Sequence, residues 1–266
     1  MAGNVWMRQL KKTAPKVHCL TNPVSVQEVA NVLLAAGGSA IMGEDELEVQ
    51  TITSLCQATL LNMGVLNDKK LCSCILAGKK ANEINHPVVL DPVGAGVSLY
   101  RRKAVELVLE KVKMSVIRCN QEEACALLDL NRKPSGGVES SVSIPEGKQL
   151  KLAKMLAQLH NCTVLISGES DVVSDGERCT LVTGGDPKIR RITGGGCMLS
   201  ALCALFCGAG LAPYEAACVA GNIWKESSRI AGKRTEKIHG GIGSFHVHLF
   251  DAVDRICHGR RKEHED

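Results

Sequence analysis

The stretch Ile189-Arg190-Arg191-Ile192-Thr193-Gly194-Gly195-Gly196-Cys197-Met198-Leu199-Ser200 decides how the chain reads. Two basic residues and a short strand lead into three glycines. The glycines open an apolar helix that continues through Ala201-Leu202-Cys203-Ala204-Leu205-Phe206-Cys207. Gly194, Gly195 and Gly196 admit positive φ and leave no side chain in the way of a ligand. The first N–H groups of the helix then point into the turn, with the positive end of the helix dipole behind them. Such a turn suits a phosphate, or negative charge moving between phosphates. Cys197 stands at the helix start beside that charge. Short glycine patterns also arise as plain tight turns, so the rest of the chain has to supply the sheet, second pocket and cation that an anion site requires.

Working outward, apolar strands alternate with helical patterns of about 10–15 residues, which argues for βαβ units and a mostly parallel sheet with helices on both faces. Lys16–Leu20, Ser39–Met42, Thr59–Asn62, Pro87–Asp91, Ser115–Arg118 and Cys162–Ser167 read as strands. Helices are expected over residues 1–14, from Ser25 to Gly37, from Glu48 to about Ala58, and over Leu71–Asn85, Arg102–Val112 and Lys148–Leu159. Further helical segments run from Pro213 to Ala231, and Ser244–His258 closes the chain. Cys179–Val182 belongs to a hairpin. Residues 131–147 read as a surface loop. One domain over residues 1–266 fits better than two, with 1–14 and 259–266 peripheral.

Composition agrees. An apolar fraction of 45% supplies a substantial core, and only 3% is aromatic, so that core is built from Ala, Val, Leu, Ile and Cys. This suits closely packed helices on a parallel sheet. A formal charge of +4 with no long basic run gives nucleic-acid binding little support. No window has the length and apolarity of a membrane span, and Met1–Lys12 lacks the apolar core of a secretory signal. The thirteen cysteines show no zinc-type spacing, so reduced, mostly buried thiols and a cytoplasmic location are expected.

Several residues carry chemistry in this frame. Asp91 and Glu123 each follow an apolar strand and reach the same carboxyl edge of the sheet, where ligands bind in doubly wound folds. Mg²⁺ prefers one or two carboxylates plus phosphate and water oxygens, so this pair is a candidate metal site. Glu123 also reads as a first-turn residue favoured by the helix dipole, and Asp91 as a turn former before Pro92. Arg118 ends an apolar strand, where a charge needs a partner, and guanidinium matches phosphate bidentately. His18 lies between Val17 and Cys19, where a satisfied core histidine is the commoner outcome than a general base. Cys19 and Met42 either line an apolar pocket or pack in the core. Lys188, Arg190 and Arg191 either form a solvated edge or steer phosphate.

Taken together, these segments resemble the hydroxyethylthiazole kinases, from about Val17 to Val253. The resemblance rests on His18-Cys19-Leu20-Thr21-Asn22, Val29-Ala30-Asn31, Ile41-Met42, Asp91-Pro92-Val93-Gly94-Ala95-Gly96, Arg118-Cys119-Asn120 with Glu123, and Ser167-Gly168. Asp171, Ser174-Asp175-Gly176 and Gly194-Gly195-Gly196-Cys197 complete it. It implies a ribokinase-like α/β fold, a three-layer sandwich with a mostly parallel central sheet. It also implies transfer of the γ-phosphoryl of ATP, with Mg²⁺, to 4-methyl-5-(2-hydroxyethyl)thiazole in thiamine biosynthesis and salvage.

By position, Met42, Cys19, Asn22 and Gly194 would contact the thiazole, and Gly194 to Gly196 would form the anion hole. Arg118, Asn120 and Ser167 would bind ATP, and Asp91 and Glu123 would serve the metal. Cys197 would be a weak base or a positioning group, with a thiol pKa near the reference value of about 8.5. A homotrimer is implied, with the apolar strand ends around Met42 and Met63 completing a neighbour's pocket. Gly195 stands where the family more often has Thr or Ala, Cys119 replaces the usual Gly, and Ser167 replaces Thr but keeps a hydroxyl. The alternatives are another small-alcohol kinase or a hydrate dehydratase on the same fold, and a weakly catalytic nucleotide- or thiazole-binding sensor.

Overall fold

A computed structural model describes residues 3–128 and 146–259. The expected surface loop falls outside these residues except for 146 and 147, which begin a helix, and so does the charged tail beyond 259. Along the chain run α1 (Gly3–Thr13), β1 (Lys16–Leu20), α2 (Val26–Ala36), β2 (Ser39–Ile41), α3 (Val49–Leu55), β3 (Ala58–Asn62), α4 (Asp68–Glu83) and β4 (Val88–Asp91). Then come α5 (Leu99–Lys111), β5 (Val116–Asn120), α6 (Gln121–Leu128), α7 (Glu146–His160), β6 (Thr163–Ser167), β7 (Asp171–Ser174) and β8 (Cys179–Val182). The chain closes with α8 (Gly195–Gly208), α9 (Pro213–Lys237) and α10 (Ile242–His258).

Among the described residues the strands form one sheet in the order β2-β1-β3-β4-β5-β6-β7-β8. From β2 to β6 neighbours are parallel, and β7 and β8 add an antiparallel hairpin at one edge. The central strands β3 and β4 are buried along their whole length because helices cover both faces. Val17, Leu60, Val89, Val116 and Leu165 pack towards α2, α8, α9 and α10. Leu61, Leu90, Ile117 and Val164 pack on the other face, with α4, α5 and α7.

Local chemistry sets the boundaries. Helix α2 ends where Gly37 turns left-handed at φ 94° and returns its N–H to Leu33 and Leu34. Asn67 caps α4 by accepting from the Lys70 amide at 2.9 Å, and Ser98 caps α5 by accepting from the Arg101 amide at 3.2 Å. Helix α8 is buried from Cys197 to Cys207, and its Ala, Cys and Ser side chains let it lie close against the sheet.

Three expectations differ from the structure. The segment before the glycines is a 3₁₀ helix, Pro187–Arg191, not a strand; Pro187 at its start and Asp186 accepting from the Lys188 amide at 2.8 Å cap a helical turn. Helix α3 stops at Leu55, and Ala58 already belongs to β3. Helix α1 is more than peripheral: Leu10 is buried, and Trp6 meets Phe206 edge-on at 5.5 Å.

Candidate active site

The carboxyl ends of β1, β3, β4 and β5 meet the amino end of α8. Gly194 caps that helix at φ 76°, a left-handed conformation in which a Cβ would also crowd Ser25. Gly195 and Gly196 are helical, so only one of the three glycines is needed for its φ. Gly196 is needed for space, because a Cβ there would overlap the Arg118 guanidinium. At Gly195 an added Cβ would meet only Ile189 O at 3.6 Å and Trp224 at 3.9 Å. The Met198 N–H makes the first helical bond, to Gly194 O at 2.9 Å. The amides of Gly196 and Cys197, ahead of it, have no partner within the helix by geometry. They face the end of the sheet with the dipole behind them.

Cys197 is 9% exposed and lies between two asparagines. Its Sγ accepts from Asn62 Nδ2 at 3.2 Å and, more loosely, from Asn22 Nδ2 at 3.8 Å. Asn62 is the hub. Its Nδ2 also donates to Asp91 Oδ2 at 2.9 Å, and its Oδ1 accepts from Asn22 Nδ2 at 2.9 Å and from the Gly64 amide at 3.0 Å. Ser200, one turn into α8, donates to the same Asp91 oxygen at 2.9 Å. Burial, and then the Asp91 carboxylate, push the Cys197 thiol up to about 11. The expected value near 8.5 is therefore corrected: the helix dipole is outweighed by desolvation, and the group is a neutral thiol at pH 7.

Asp91 is fully buried. Its Oδ2 has two donors, while Oδ1 accepts no hydrogen bond and lies 3.7 Å from Arg118 Nη1. Burial raises the Asp91 pKa, and the Arg118 cation opposes this. Arg118 is buried too and donates to Ser167 Oγ, so the two strand ends of β5 and β6 share a guanidinium.

Glu123 is held differently. Its Oε1 accepts from the Gly94 amide at 2.9 Å and its Oε2 from the Asn120 amide at 2.8 Å, while Asn120 Oδ1 accepts from the Glu123 amide at 2.8 Å. This is a reciprocal capping box at the start of α6, extended to the glycine loop after β4. Burial, then the Asp91 charge, push the Glu123 carboxyl up to about 7. The reading of Glu123 as a helix-start residue thus holds in the structure, alongside its place next to Asp91 and Arg118.

The other candidates separate. Asn22 and Gly194 stand with Cys197. Met42 follows β2 and is half-buried against the core. Cys19 does not line an open surface; it is 2% exposed inside the core, so the pocket role is corrected to packing. Met63 is likewise buried, at 1%, and cannot reach a neighbouring subunit. His18 is a satisfied core residue, with Nδ1 at 2.9 Å from Thr53 Oγ1 and Nε2 at 2.7 Å from Gly43 O. Lys188 pairs with Asp186 and with Glu236, while Arg190 and Arg191 are exposed. Asn62 and Ser200 escaped the sequence reading as site residues. Asn62 had a signal, a polar residue ending an apolar strand; Ser200 had only its place three residues after Cys197.

Comparisons with known proteins agree with this geometry. The model of the Hydroxyethylthiazole kinase family matches residues 7–259. A hydroxyethylthiazole kinase of Alkaliphilus oremlandii is 40% identical over 250 residues, covering 94% of this chain and 91% of that protein. The solved hydroxyethylthiazole kinase of Pyrococcus horikoshii OT3 superposes with a TM-score of 0.80 at 32% identity, covering 94% of this chain and 91% of that one. A ribokinase-like superfamily protein of Enterococcus faecalis shares the fold, with a TM-score of 0.64 at 12% identity over 93% of this chain and 89% of its own. The α/β architecture is therefore ribokinase-like.

Proposed function

The chain belongs to the hydroxyethylthiazole kinase family, and from that premise we propose that it transfers the γ-phosphoryl group of ATP to the hydroxyl of 4-methyl-5-(2-hydroxyethyl)thiazole, a step of thiamine biosynthesis and salvage. The observation that carries the reading is one buried constellation. The Cys197–Asn62–Asp91 network and the Arg118 guanidinium meet at the open amides of α8, and Gly196 leaves the space that lets them do so.

In this reading the alcohol lies on the Met42, Asn22 and Cys197 side. The nucleotide lies on the Arg118, Asn120 and Ser167 side. Phosphoryl transfer passes through a loose transition state with little bonding to the nucleophile, so positioning and charge stabilisation do most of the catalysis. A neutral Cys197 thiol fits this: it holds the hydroxyl by shape and takes no proton in advance. The amides of Gly196 and Cys197 receive the charge as it develops, and Arg118 neutralises phosphate oxygens.

A divalent cation fits the residues present. Asp91 Oδ1 is a buried carboxylate oxygen with no hydrogen-bond donor, while both Glu123 oxygens already accept a backbone N–H. Among the described residues no three His, Cys, Asp or Glu side chains converge to hold a metal, so phosphate oxygens would complete the coordination. Asp91 would hold Mg²⁺, Glu123 would serve it from the adjoining position, and the ion would supply charge neutralisation along the phosphates.

We also assign a homotrimer, on family resemblance. The short, half-buried edge strand β2 and Met42 beyond it leave the alcohol side at the margin of the sheet. No described helix is long and apolar enough to cross a membrane.

The test is a phosphorylation assay with ATP and Mg²⁺ against thiazole, hydroxymethylpyrimidine and pyridoxal alcohols. The thiazole is expected to lead by at least about tenfold in kcat/KM, roughly 1.4 kcal/mol of transition-state preference. Equal or better turnover of the pyrimidine would overturn the substrate while leaving the fold in place.

A further inference from the structure

One lysine is buried in this molecule, where an ammonium group is costly, and a second is partly buried; each gathers backbone carbonyls at a different side of the site. Lys70, in the first turn of α4, is 4% exposed. Its Nζ donates to Thr21 O and, at 3.0 Å, to Gly64 O, with Glu44 Oε2 3.9 Å away. Thr21 precedes Asn22, and Gly64 follows Asn62 and Met63. These are the segments whose asparagines hold Cys197.

Lys225, in α9 on the opposite face of the sheet, donates to Gly168 O and Glu169 O, both at 2.8 Å. It also pairs at 3.0 Å with Asp171, which is itself buried and accepts from the Gly168 amide at 3.0 Å. That loop follows Ser167, the partner of Arg118.

An ammonium removed from water must be repaid by well-placed acceptors, and a stable core does not require one at all. Carbonyl dipoles that converge on a point repel one another unless a cation sits there. A lysine, with three donors on a compact charge, suits that place. Burial pulls the Lys70 pKa down, the Glu44 carboxylate opposes this, and Arg101 faces it as the neighbouring cation.

We propose that Lys70 and Lys225 are positioning residues, a pair of carbonyl clamps that act on separate substrates. Lys70 fixes the ends of β1 and β3, and through Asn22 and Asn62 the alcohol side. Lys225 fixes the loop after β6, and through Ser167 and Arg118 the nucleotide side. The assignment of sides rests on the proposed function.

Each lysine is the structural control for the other. Lys70→Met is expected to raise KM for the thiazole alcohol by about tenfold, the effect of losing charge-assisted contacts, with KM for ATP changed less than about twofold. Lys225→Met is expected to do the reverse. Amide hydrogen exchange on the same proteins reads the clamps without catalysis. Lys70→Met should speed exchange in residues 22–25 and 62–66, and Lys225→Met in residues 167–171, Gly168 above all. Lys70→Gln and Lys225→Gln, whose amides reach one carbonyl, are expected to give smaller effects of the same kind and serve if a methionine variant does not fold.

Equal shifts of both KM values in both variants, or a lower Tm with neither KM moved, would overturn the proposal. Should the wild-type protein phosphorylate no thiazole alcohol, the functional reading fails. The clamps then stand or fall on whether the exchange changes are confined to those two sets of residues.

Discussion

Replacing Gly196 by alanine adds one carbon, and that carbon falls on the Arg118 guanidinium. The arginine has little room to give, being buried between Asp91 and Ser167. Moving it leaves the buried Asp91 carboxylate with two neutral donors and no cation. Breaking a buried ion pair costs about 3–5 kcal/mol. Burial already raises the Asp91 pKa, so uptake of a proton holds the cost near the low end. Alanine returns up to about 1 kcal/mol of helix propensity. The expected net loss is about 2–4 kcal/mol, or about 4–8 °C in Tm for a chain of this size.

Gly195→Ala is the matched control. Its Cβ meets nothing closer than 3.6 Å, and Gly195 has no positive φ. It should gain about 0.4–1 kcal/mol, since alanine narrows the unfolded ensemble without strain. Thermal melts of the two variants and of the parent protein give the stabilities, and steady-state kinetics give the nucleotide response. Gly196→Ala should also raise KM for ATP, while Gly195→Ala should not. If Gly196→Ala melts at or above the parent with an unchanged KM for ATP, the reasoning about Arg118 and the helix start is wrong.

Three further outcomes follow from the site. With its thiol pushed up to about 11, Cys197 holds no charge near neutrality. Cys197→Ala should lower kcat by about ten- to a hundredfold while leaving the shape of the pH–rate profile unchanged between about pH 6.5 and 9; a limb near the thiol range that the alanine variant abolishes would show a thiolate base. Glu123 is raised from 4.5 to about 7, so the folded protein holds this proton longer than the unfolded chain and stability falls as pH rises through that window. Urea unfolding of metal-free protein should show that fall, shallower in Glu123→Gln, and equal slopes would contradict the assignment. Light scattering at micromolar concentration should give a trimeric mass, and a fully active monomer would refute the trimer.

What could be read before folding was local. Asp91 and Arg118 each end an apolar run, and the turn at Gly194 to Cys197 announces itself through glycines followed by an unbroken apolar helix. These signals placed the end of β4 and the start of α8 correctly, while β5 runs two residues past Arg118, to Asn120. What escaped was set by distance along the chain. Asn62 meets Cys197 across 135 positions, and Ser200 meets Asp91 across 109. Lys70 sits in a polar run, Asn67-Asp68-Lys69-Lys70, that reads as a solvated helix start, and only the packing of β1 and β3 beside it makes it interior. Cys19 and Met63 looked like pocket residues because they end strands, but α-helices cover both. The pKa of Cys197 was misjudged for the same reason: the helix dipole is visible in sequence, and the desolvation that outweighs it is not.

The most direct measurement follows the transferred group itself. The protein is incubated with γ-labelled ATP, Mg²⁺ and 4-methyl-5-(2-hydroxyethyl)thiazole, and the products are separated. The account predicts label on the thiazole alcohol in step with ADP formation, greatly reduced in Arg118→Ala. Label found only in inorganic phosphate, or none released with the thiazole present, would contradict it.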